Sequence, residues 1–314
     1  MISPAGRAAL RDALGDSVRF NVPMKRHVSL RVGGPADAMV TPKDRGELSR
    51  ALTVCASHGI PHHILGTGFN TFVRDAGIDG LVLQMRKLRG LELRDNGAIR
   101  AEAGVSHNTL TKLCIQEGRT GLEFGAGIPG SIGGWVAMNA GIDDREVKDA
   151  VVALEVMKSD GSDVADVERA ALNFDYRALR GLQPGSVIVA AVFGTEESTP
   201  EAVQTEVDRL LALRHRTQPL DVPSCGSVFK NPHGDFAGRL IEDVGLKGAT
   251  AGGAQISPVH ANFIATTGDA TASEVLELIE RARTSVREAH DIELETEVKI
   301  VGRESGRTDS KGHR

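Results

Sequence analysis

A glycine-rich segment, residues 121–141, constrains the fold of this chain more than any other stretch. Its sequence is GLEFGAGIPGSIGGWVAMNAG, in which seven glycines stand among small and apolar residues. Because glycine has no Cβ, such a backbone can turn tightly and can lie directly against a pyrophosphate or a planar ring. The same composition also suits a purely structural loop. The segment alone therefore predicts a close backbone approach, to a ligand or to the rest of the protein.

A second glycine cluster, ILGTGFNTF at residues 64–72, resembles the dinucleotide-binding fingerprint, but Thr71 stands at the third glycine position. The next strand-like run begins by residue 81, which leaves no room for the crossover helix of a Rossmann unit. We therefore exclude a Rossmann fold and predict a strand–loop–strand, serving either as an anion-binding concavity or as an ordinary turn. The Walker pattern GxxxxGK(S/T) is absent as well. Two such clusters in one half of the chain favour a phosphate-bearing cofactor.

The composition excludes several classes of function. Aromatic residues make up 4% of the chain, with one Trp (Trp135) and one Tyr (Tyr176), too few for a surface that stacks single-stranded nucleic acid. The net charge of −5 also lacks the basic footprint of a nucleic-acid-binding protein. No apolar run is long enough to span a membrane and no secretory signal is visible, so we expect a cytoplasmic protein without membrane insertion. The three cysteines are scattered, and we predict no metal site.

The hydrophobic pattern predicts an α+β fold. Helical spacing or capping signals predict helices over residues 4–15, 44–58 and 106–118, from residue 201 onward with Val203, Val207, Leu210 and Leu211 on one face, just before Gly245, and from Thr271 onward. Strand-like runs occur at residues 61–66, 81–85, 98–104, 149–157, 186–194 and 293–301. A polar segment near residue 200 marks a boundary, so the predicted units are residues 1–58, 59–199 and 200–302. The polar tail, residues 303–314, is expected to be disordered.

Four longer motifs occur together in one order. They are SLRVGGPAD (29–37), GLEFGAGIPGSIGG with MNAG (121–141), CGSVFKNP with AGRLIEDVGLKG (225–248), and HANFIATTGDATASEVLELI continuing to LETEVKIVG (260–302). In these motifs, over residues 20–302, the chain resembles the UDP-N-acetylenolpyruvoylglucosamine reductase (MurB) family, flavoenzymes of bacterial peptidoglycan synthesis.

The resemblance implies a fold and a set of ligands. The fold is a two-part FAD-binding domain of the vanillyl-alcohol-oxidase (PCMH) type, followed by a C-terminal α+β substrate-binding domain. The ligands are non-covalent FAD, NADPH as reductant, and UDP-N-acetylglucosamine enolpyruvate, which is reduced to UDP-N-acetylmuramate for the cell wall. We expect a monomer. Because Tyr176 is the only tyrosine, the chain resembles the branch that lacks a tyrosine-bearing loop over the substrate.

The resemblance also places the cofactor against both glycine clusters. The cofactor-binding residues that it implies are Gly66, Thr67, Gly68, Phe69, Asn70, Gly127, Ile128, Pro129, Gly130, Ser131, Gly133, Gly134, Asn139, Ala140 and Gly141. Three stretches depart from the family pattern: Phe69 replaces a usual Ser, Trp135 a usual Ala, and Ile142-Asp143-Asp144 a usual Ala-Tyr-Gly. These departures could change cofactor affinity, redox tuning or the fit of NADPH.

The implied reaction requires groups that stabilise a developing enolate and one proton donor. The resemblance assigns the proton donor to Ser227, the grip on the substrate carboxylate to Arg177, and a second acid to Glu297. Judged from local sequence, these residues would be a turn serine, a solvated arginine and an exposed strand carboxylate, and Glu295 is the alternative register for the acid. Residues matched less firmly to the substrate are Tyr176, Lys230, Asn231, and either Arg214 or Arg216.

Two other functions stay open at this point. One is a flavin oxidase of the same superfamily that acts on a different substrate. The other is a nucleotide-sugar-binding protein that has lost its flavin through Phe69 and Trp135. The segment GSVFKNP (226–232) and the closing strand favour the reductase.

Overall fold

The computed structural model describes residues 1–142, 145–219 and 221–304. Their helices are α1 (Pro4–Leu14), α2 (Arg45–His58), α3 (His107–Gln116), α4 (Ile132–Ala137), α5 (Pro200–Thr217), α6 (Ala237–Asp243) and α7 (Ala272–His290). Asp143, Asp144 and residues 305–314 of the tail that we expected to be disordered lie outside the described residues. Among the described helices, none is both long and apolar enough to cross a membrane.

The strands are short. They are β1 (Val18–Pro23), β2 (Pro35–Val40), β3 (His62–Leu65), β4 (Thr71–Val73), β5 (Ile78–Gln84), β6 (Leu91–Leu93), β7 (Ile99–Glu102), β8 (Arg119–Thr120), β9 (Gly141–Ile142), β10 (Arg145–Glu146), β11 (Val151–Met157), β12 (Val164–Glu168), β13 (Asn173–Asp175), β14 (Ala178–Arg180), β15 (Val187–Phe193), β16 (Glu196–Glu197), β17 (Ser224–Ser227), β18 (Thr250–Ala251), β19 (Ala254–Ile256), β20 (Phe263–Thr266) and β21 (Lys299–Val301).

The helix limits follow capping chemistry that the sequence shows. The Asp44 side chain accepts a hydrogen bond from the Glu47 amide at the start of α2, and Gly59 ends that helix in the left-handed conformation. Ser106 caps α3 in the same way as Asp44 caps α2. At α7 the capping box between Thr271 and Glu274 is complete, as predicted. The six predicted helices are confirmed as α1, α2, α3, α5, α6 and α7.

The first sheet has the order β1-β2-β5-β3, with α1 and α2 packed on it. β3 and β5 run parallel, although no helix connects them. Instead the chain leaves the sheet through the first glycine cluster and β4, which pairs with β21 from the far end of the chain. This excursion explains how the segment avoids the crossover helix of a Rossmann unit.

The second sheet has the order β12-β11-β15-β7-β6 and buries a core that includes Leu110 of α3 and Trp135 of α4. α5 packs on the same core through Val203, Val207 and Leu210. The third sheet, in the order β17-β20-β19-β18, packs on α6 and α7.

Two predicted domain boundaries do not match the way in which the three sheets and their helices pack. The boundary at residues 58 and 59 divides the first sheet, because β2 lies before it and pairs with β5 after it. The boundary at residues 199 and 200 assigns α5 to the C-terminal unit, whereas its apolar face lies in the core of the second sheet. The closing strand is also shorter than predicted: β21 begins at Lys299, preceded by an isolated bridge between Phe229 and Thr296.

Candidate active site

A cavity of about 890 Å³ is lined by residues from all three parts of the fold. Among the described residues, its charged lining is mainly cationic. The cations are Arg31, Arg177, Arg214 and Lys299, and the acids are Asp221 and Glu297. A cavity of this size with an excess of positive charge suits a large anionic ligand.

Both glycine clusters line this cavity and also contact each other. A Cβ at Gly66 would lie 2.5 Å from Oγ of Ser131 and 3.8 Å from its Cβ, so a larger residue there would require the Ser131 hydroxyl to turn away. Gly130 serves a different purpose: its φ is +140°, and a Cβ there would meet nothing within 4 Å. Gly66 therefore leaves room for the Ser131 hydroxyl, and Gly130 allows a backbone conformation that other residues rarely adopt.

The cavity wall contains buried polar atoms without a protein partner. In the described part of the chain, Oγ of Ser131 and Nε of Arg214 are both buried without a hydrogen bond. Unpartnered polar atoms are costly in a protein interior, so their presence in a cavity wall indicates a ligand that supplies the missing partners. FAD, with its diphosphate and its ring acceptors, fits this wall.

Fourteen of the fifteen predicted cofactor-binding residues line the cavity, and Asn139 does not. The Asn139 side chain is fully buried and donates to Oε2 of Glu146 at 2.9 Å and to the carbonyl of Asp175 at 3.0 Å. Its Oδ1 accepts from the Lys148 amide at 3.0 Å. The Asn139 side chain therefore holds the protein scaffold behind the cavity.

The three predicted catalytic residues all line the cavity, although they come from separate segments. Ser227 ends β17, and Arg177 occupies the two-residue turn between β13 and β14. Glu297 is held beside β17, because its amide donates to the carbonyl of Val228 at 2.8 Å. The Arg177 Nε lies 3.3 Å from Oε1 of Glu297, with less than a fifth of either side chain exposed.

The two candidate acids, Glu297 and Glu295, lie in different surroundings. Glu297 faces the cavity, whereas the Glu295 side chain is 74% exposed and forms an ion pair with Lys230 at 2.5 Å. Burial raises the pKa of Glu297, while the nearby positive charges of Arg177 and Lys230 oppose that rise. Burial also lowers the pKa of Arg214 to about 10 and raises that of the Cys225 thiol to about 12. Cys225 is therefore a protonated, packed residue.

Three predicted substrate residues lie outside the cavity lining. Lys230 is engaged by Glu295, and Oδ1 of Asn231 accepts the Ala237 amide at 3.1 Å. Tyr176 is 45% exposed and its ring stacks on the Arg177 guanidinium, 4.8 Å from Cζ to the ring centre. Arg214, by contrast, lines the cavity, whereas its alternative Arg216 is exposed.

Phe69, Trp135 and Ile142, the described departures from the family pattern, all line the cavity, where they can contact a ligand. The Trp135 ring is also buried and packs against Phe124 and His107, with ring centres 5.5 Å and 4.1 Å away. Trp135 is thus a core residue that borders the cavity as well.

Two charged residues were missed by the sequence analysis. Glu146 holds Arg177, and Lys299 lines the cavity next to Glu297. Alternation along residues 294–300 predicts Lys299 on one face with Glu295 and Glu297, although only residues 299–301 of that run form a strand and Glu295 lies outside the cavity lining. No local signal marks Glu146. Within the described residues, no cluster of His, Cys, Asp and Glu side chains could hold a metal ion.

Two family models match separate parts of the chain. Residues 36–165 match the FAD binding domain, and residues 218–301 match the C-terminal domain of UDP-N-acetylenolpyruvoylglucosamine reductase. The second match begins after α5, in agreement with the packing of that helix. The first two parts of the fold are therefore a PCMH-type FAD-binding domain, and the third is the C-terminal domain.

Relatives that align with this chain over nearly their whole length share one name. The chain is 39% identical over 296 residues to UDP-N-acetylenolpyruvoylglucosamine reductase of Geotalea uraniireducens, covering 94% of this chain and 98% of that protein. It is 41% identical over 292 residues to the reductase of Streptococcus thermophilus, with 93% and 95% covered. The crystal structure of the Thermus caldophilus reductase superposes with a TM-score of 0.77 at 34% identity, covering 90% of this chain and 97% of that one. The chain therefore belongs to the UDP-N-acetylenolpyruvoylglucosamine reductase family of FAD-containing oxidoreductases.

Proposed function

We propose that the protein reduces UDP-N-acetylglucosamine enolpyruvate to UDP-N-acetylmuramate in peptidoglycan synthesis, with NADPH as the reductant. The observation that carries this proposal is the meeting of Arg177, Ser227 and Glu297 in the cavity that both glycine loops line. The names of the relatives support the same reaction.

The residues that would hold FAD are the two glycine loops, with the Ser131 hydroxyl as an added hydrogen-bonding group. When bound, FAD supplies a carrier that takes a hydride from NADPH and passes it to the CH₂ carbon of the enol ether. The Arg214 guanidinium has no acidic partner among the described residues, and we propose that it meets an anionic group of a bound ligand.

Arg177 would bind the substrate carboxylate. Two of its N–H groups donate hydrogen bonds within the described residues, Nη1 to Glu146 and Nη2 to the carbonyl of Gly141, and Nε forms an ion pair with Glu297. One N–H on each terminal nitrogen therefore stays available for a carboxylate. The same cation stabilises the charge that develops at the carbon bearing the carboxylate when the hydride arrives.

Ser227 would donate the proton to that carbon, which completes the addition across the double bond. A serine hydroxyl is a weak acid and needs a neighbour that restores its proton. Glu297 suits this task because burial raises its pKa, so it holds a proton at a higher pH than an exposed carboxyl does. Tyr176, Lys230 and Asn231 stay candidates for the parts of the substrate that extend beyond the cavity.

The test uses the purified protein without oxygen. We expect a yellow protein whose flavin absorbance is bleached by NADPH and restored by UDP-N-acetylglucosamine enolpyruvate. Restoration by oxygen but not by this nucleotide would indicate the oxidase alternative. A colourless protein that binds no added FAD would exclude both reactions.

The Ser227→Ala variant tests the proton donor. Bleaching by NADPH should stay within about twofold of the wild-type rate, since no proton from Ser227 is needed there. Restoration by the enolpyruvyl nucleotide should slow by about a hundredfold or more, as expected for the loss of a general acid. Equal slowing of both half-reactions in stopped-flow measurements would contradict the assignment.

A further inference from the structure

Arg177 stands in a backbone conformation that needs external support. Its φ is +56°, in the left-handed region that few residues other than glycine adopt. It occupies a two-residue turn, because Asp175 and Ala178 are paired directly across the hairpin. A flexible arginine in such a turn would present its guanidinium in many directions unless neighbouring groups held it.

Glu146 is one of the groups that hold the guanidinium. Its Oε1 lies 3.4 Å from Nη1 of Arg177, and only 12% of its side chain is exposed. Gly141, which is paired with Glu146 in the ladder of β9 and β10, accepts from Nη2 of Arg177 at 3.2 Å through its carbonyl. Two facing residues of one small ladder thus hold the two terminal nitrogens of the guanidinium.

Glu146 is itself fixed from the opposite side. Its Oε2 accepts from Nδ2 of Asn139 at 2.9 Å and lies 2.6 Å from Nζ of Lys148. Its amide donates to Asp149 at 2.8 Å, within a complete capping box. Asn139 also binds the carbonyl of Asp175, so one buried amide connects the carboxylate to the start of the Arg177 turn.

The charges show why a carboxylate is needed at this place. Arg177 lies between two acids, Glu146 at a terminal nitrogen and Glu297 at Nε. Without Glu146, the guanidinium would be free to turn fully onto Glu297. The remaining N–H groups of Arg177 would then point in a different direction from the one they have now.

We propose that Glu146, clamped by Asn139 and Lys148, is a positioning residue that fixes Arg177 for the carboxylate of the enolpyruvyl group. This inference rests on the proposed function and extends it to a residue that does not line the cavity. The inference predicts that replacing Glu146 weakens the binding of a ligand that bears this carboxylate and leaves the binding of a ligand without it unchanged.

The experiment compares two nucleotides on the FAD-loaded protein carrying Glu146→Gln. Affinity for UDP-N-acetylglucosamine enolpyruvate should fall about ten- to a hundredfold, the loss expected for one charge-assisted hydrogen bond. Affinity for UDP-N-acetylglucosamine, which has no carboxylate, should stay within about twofold. Flavin bleaching by NADPH should also be unchanged, while restoration by the enolpyruvyl nucleotide slows. Glu280→Gln, at an exposed ion pair with Arg283 on α7, is the matched control.

Glu146→Asp keeps the charge and shortens the reach. It should recover part of the lost affinity, and it carries the same comparison of nucleotides if the Gln variant fails to bind FAD. Equal losses for both nucleotides would show a structural role only, and wild-type affinity for both would also overturn the inference. If the wild-type protein is not reoxidised by the enolpyruvyl nucleotide, the proposed function itself fails and the inference fails with it.

Discussion

Arg177 and Arg214 line the same cavity but differ in the partners that the surrounding protein provides for them. Arg177 is held by two carboxylates and a backbone carbonyl. Arg214 is 9% exposed, donates only to Oε1 of Gln218 at 2.8 Å, and leaves its Nε buried without a partner in the described residues. Burial lowers the pKa of Arg214, as expected for a cation without a neutralising acid.

The difference separates two kinds of binding group. The region around Arg177 is organised before any ligand arrives, so its charges cost little in the free protein and its geometry is set in advance. The region around Arg214 carries an uncompensated charge that destabilises the free protein and that a ligand anion would neutralise. Folding stability and ligand affinity should therefore respond differently to substitution at the two sites.

The largest effect is expected for Arg177→Met. Restoration of the flavin by the enolpyruvyl nucleotide should slow by about a thousandfold, because the substrate carboxylate and the developing charge both lose their cation. The removal also leaves Glu146 and Glu297 without their shared partner, so folding stability should decrease as well. Arg177→Lys retains the charge without the planar fork and should lie between the wild type and the Met variant in anaerobic stopped-flow rates. A Met variant within tenfold of the wild type would contradict this view of the site.

Arg214→Met should produce the opposite change in stability. Replacing an unpaired buried charge by an apolar side chain should stabilise the FAD-free protein by about 1–3 kcal/mol in urea unfolding. The affinity for its anionic ligand should fall about ten- to a hundredfold. Titrations with FAD and with the nucleotide substrate identify that ligand by which affinity falls. Arg216→Met, at an exposed position on the same helix, is the control. Loss of stability in the Arg214 variant would show that the charge is compensated after all.

The smallest effect concerns the pH dependence of stability. Since the pKa of Glu297 is raised on folding, its ionised form is disfavoured in the native state. The contribution of Glu297 to the free energy of unfolding is therefore complete at low pH and is lost as the pH rises through the raised pKa. The Glu297→Gln variant should gain stability relative to the wild type as the pH increases from 4 to 7. Denaturant unfolding across that range checks the trend, with Glu295→Gln as the exposed control. A difference that shrinks with increasing pH would contradict the direction of the shift.

Local chemistry in the sequence was enough to predict the helices and the glycine loops. Asp44, Ser106 and Thr271 define helix starts through bonds to the next few residues, and these signals do not depend on the rest of the fold.

Contacts between distant segments could not be predicted in this way. Asn139 lies within a glycine-rich motif, yet its amide is used by Glu146 and Asp175, and the fold decides this contact. The same holds for α5, whose apolar face is clear in the sequence while its partner sheet is not. The match to known motifs identified Arg177, but the buried charges that hold it have no local signature.

The pairing of β4 with β21 has a consequence for the order in which the molecule is completed. Nδ2 of Asn70, in the first glycine loop, donates at 3.1 Å to the carbonyl of Glu297, 227 positions further along the chain. Contacts over such separations form late, because closing a long loop costs conformational entropy. A nascent chain can therefore build most of its FAD-binding domain, with Arg177 already in place, while one wall of the cavity is still missing. The cavity wall that Glu297 and Lys299 form is therefore completed only when residues 294–301 pack against the first glycine loop.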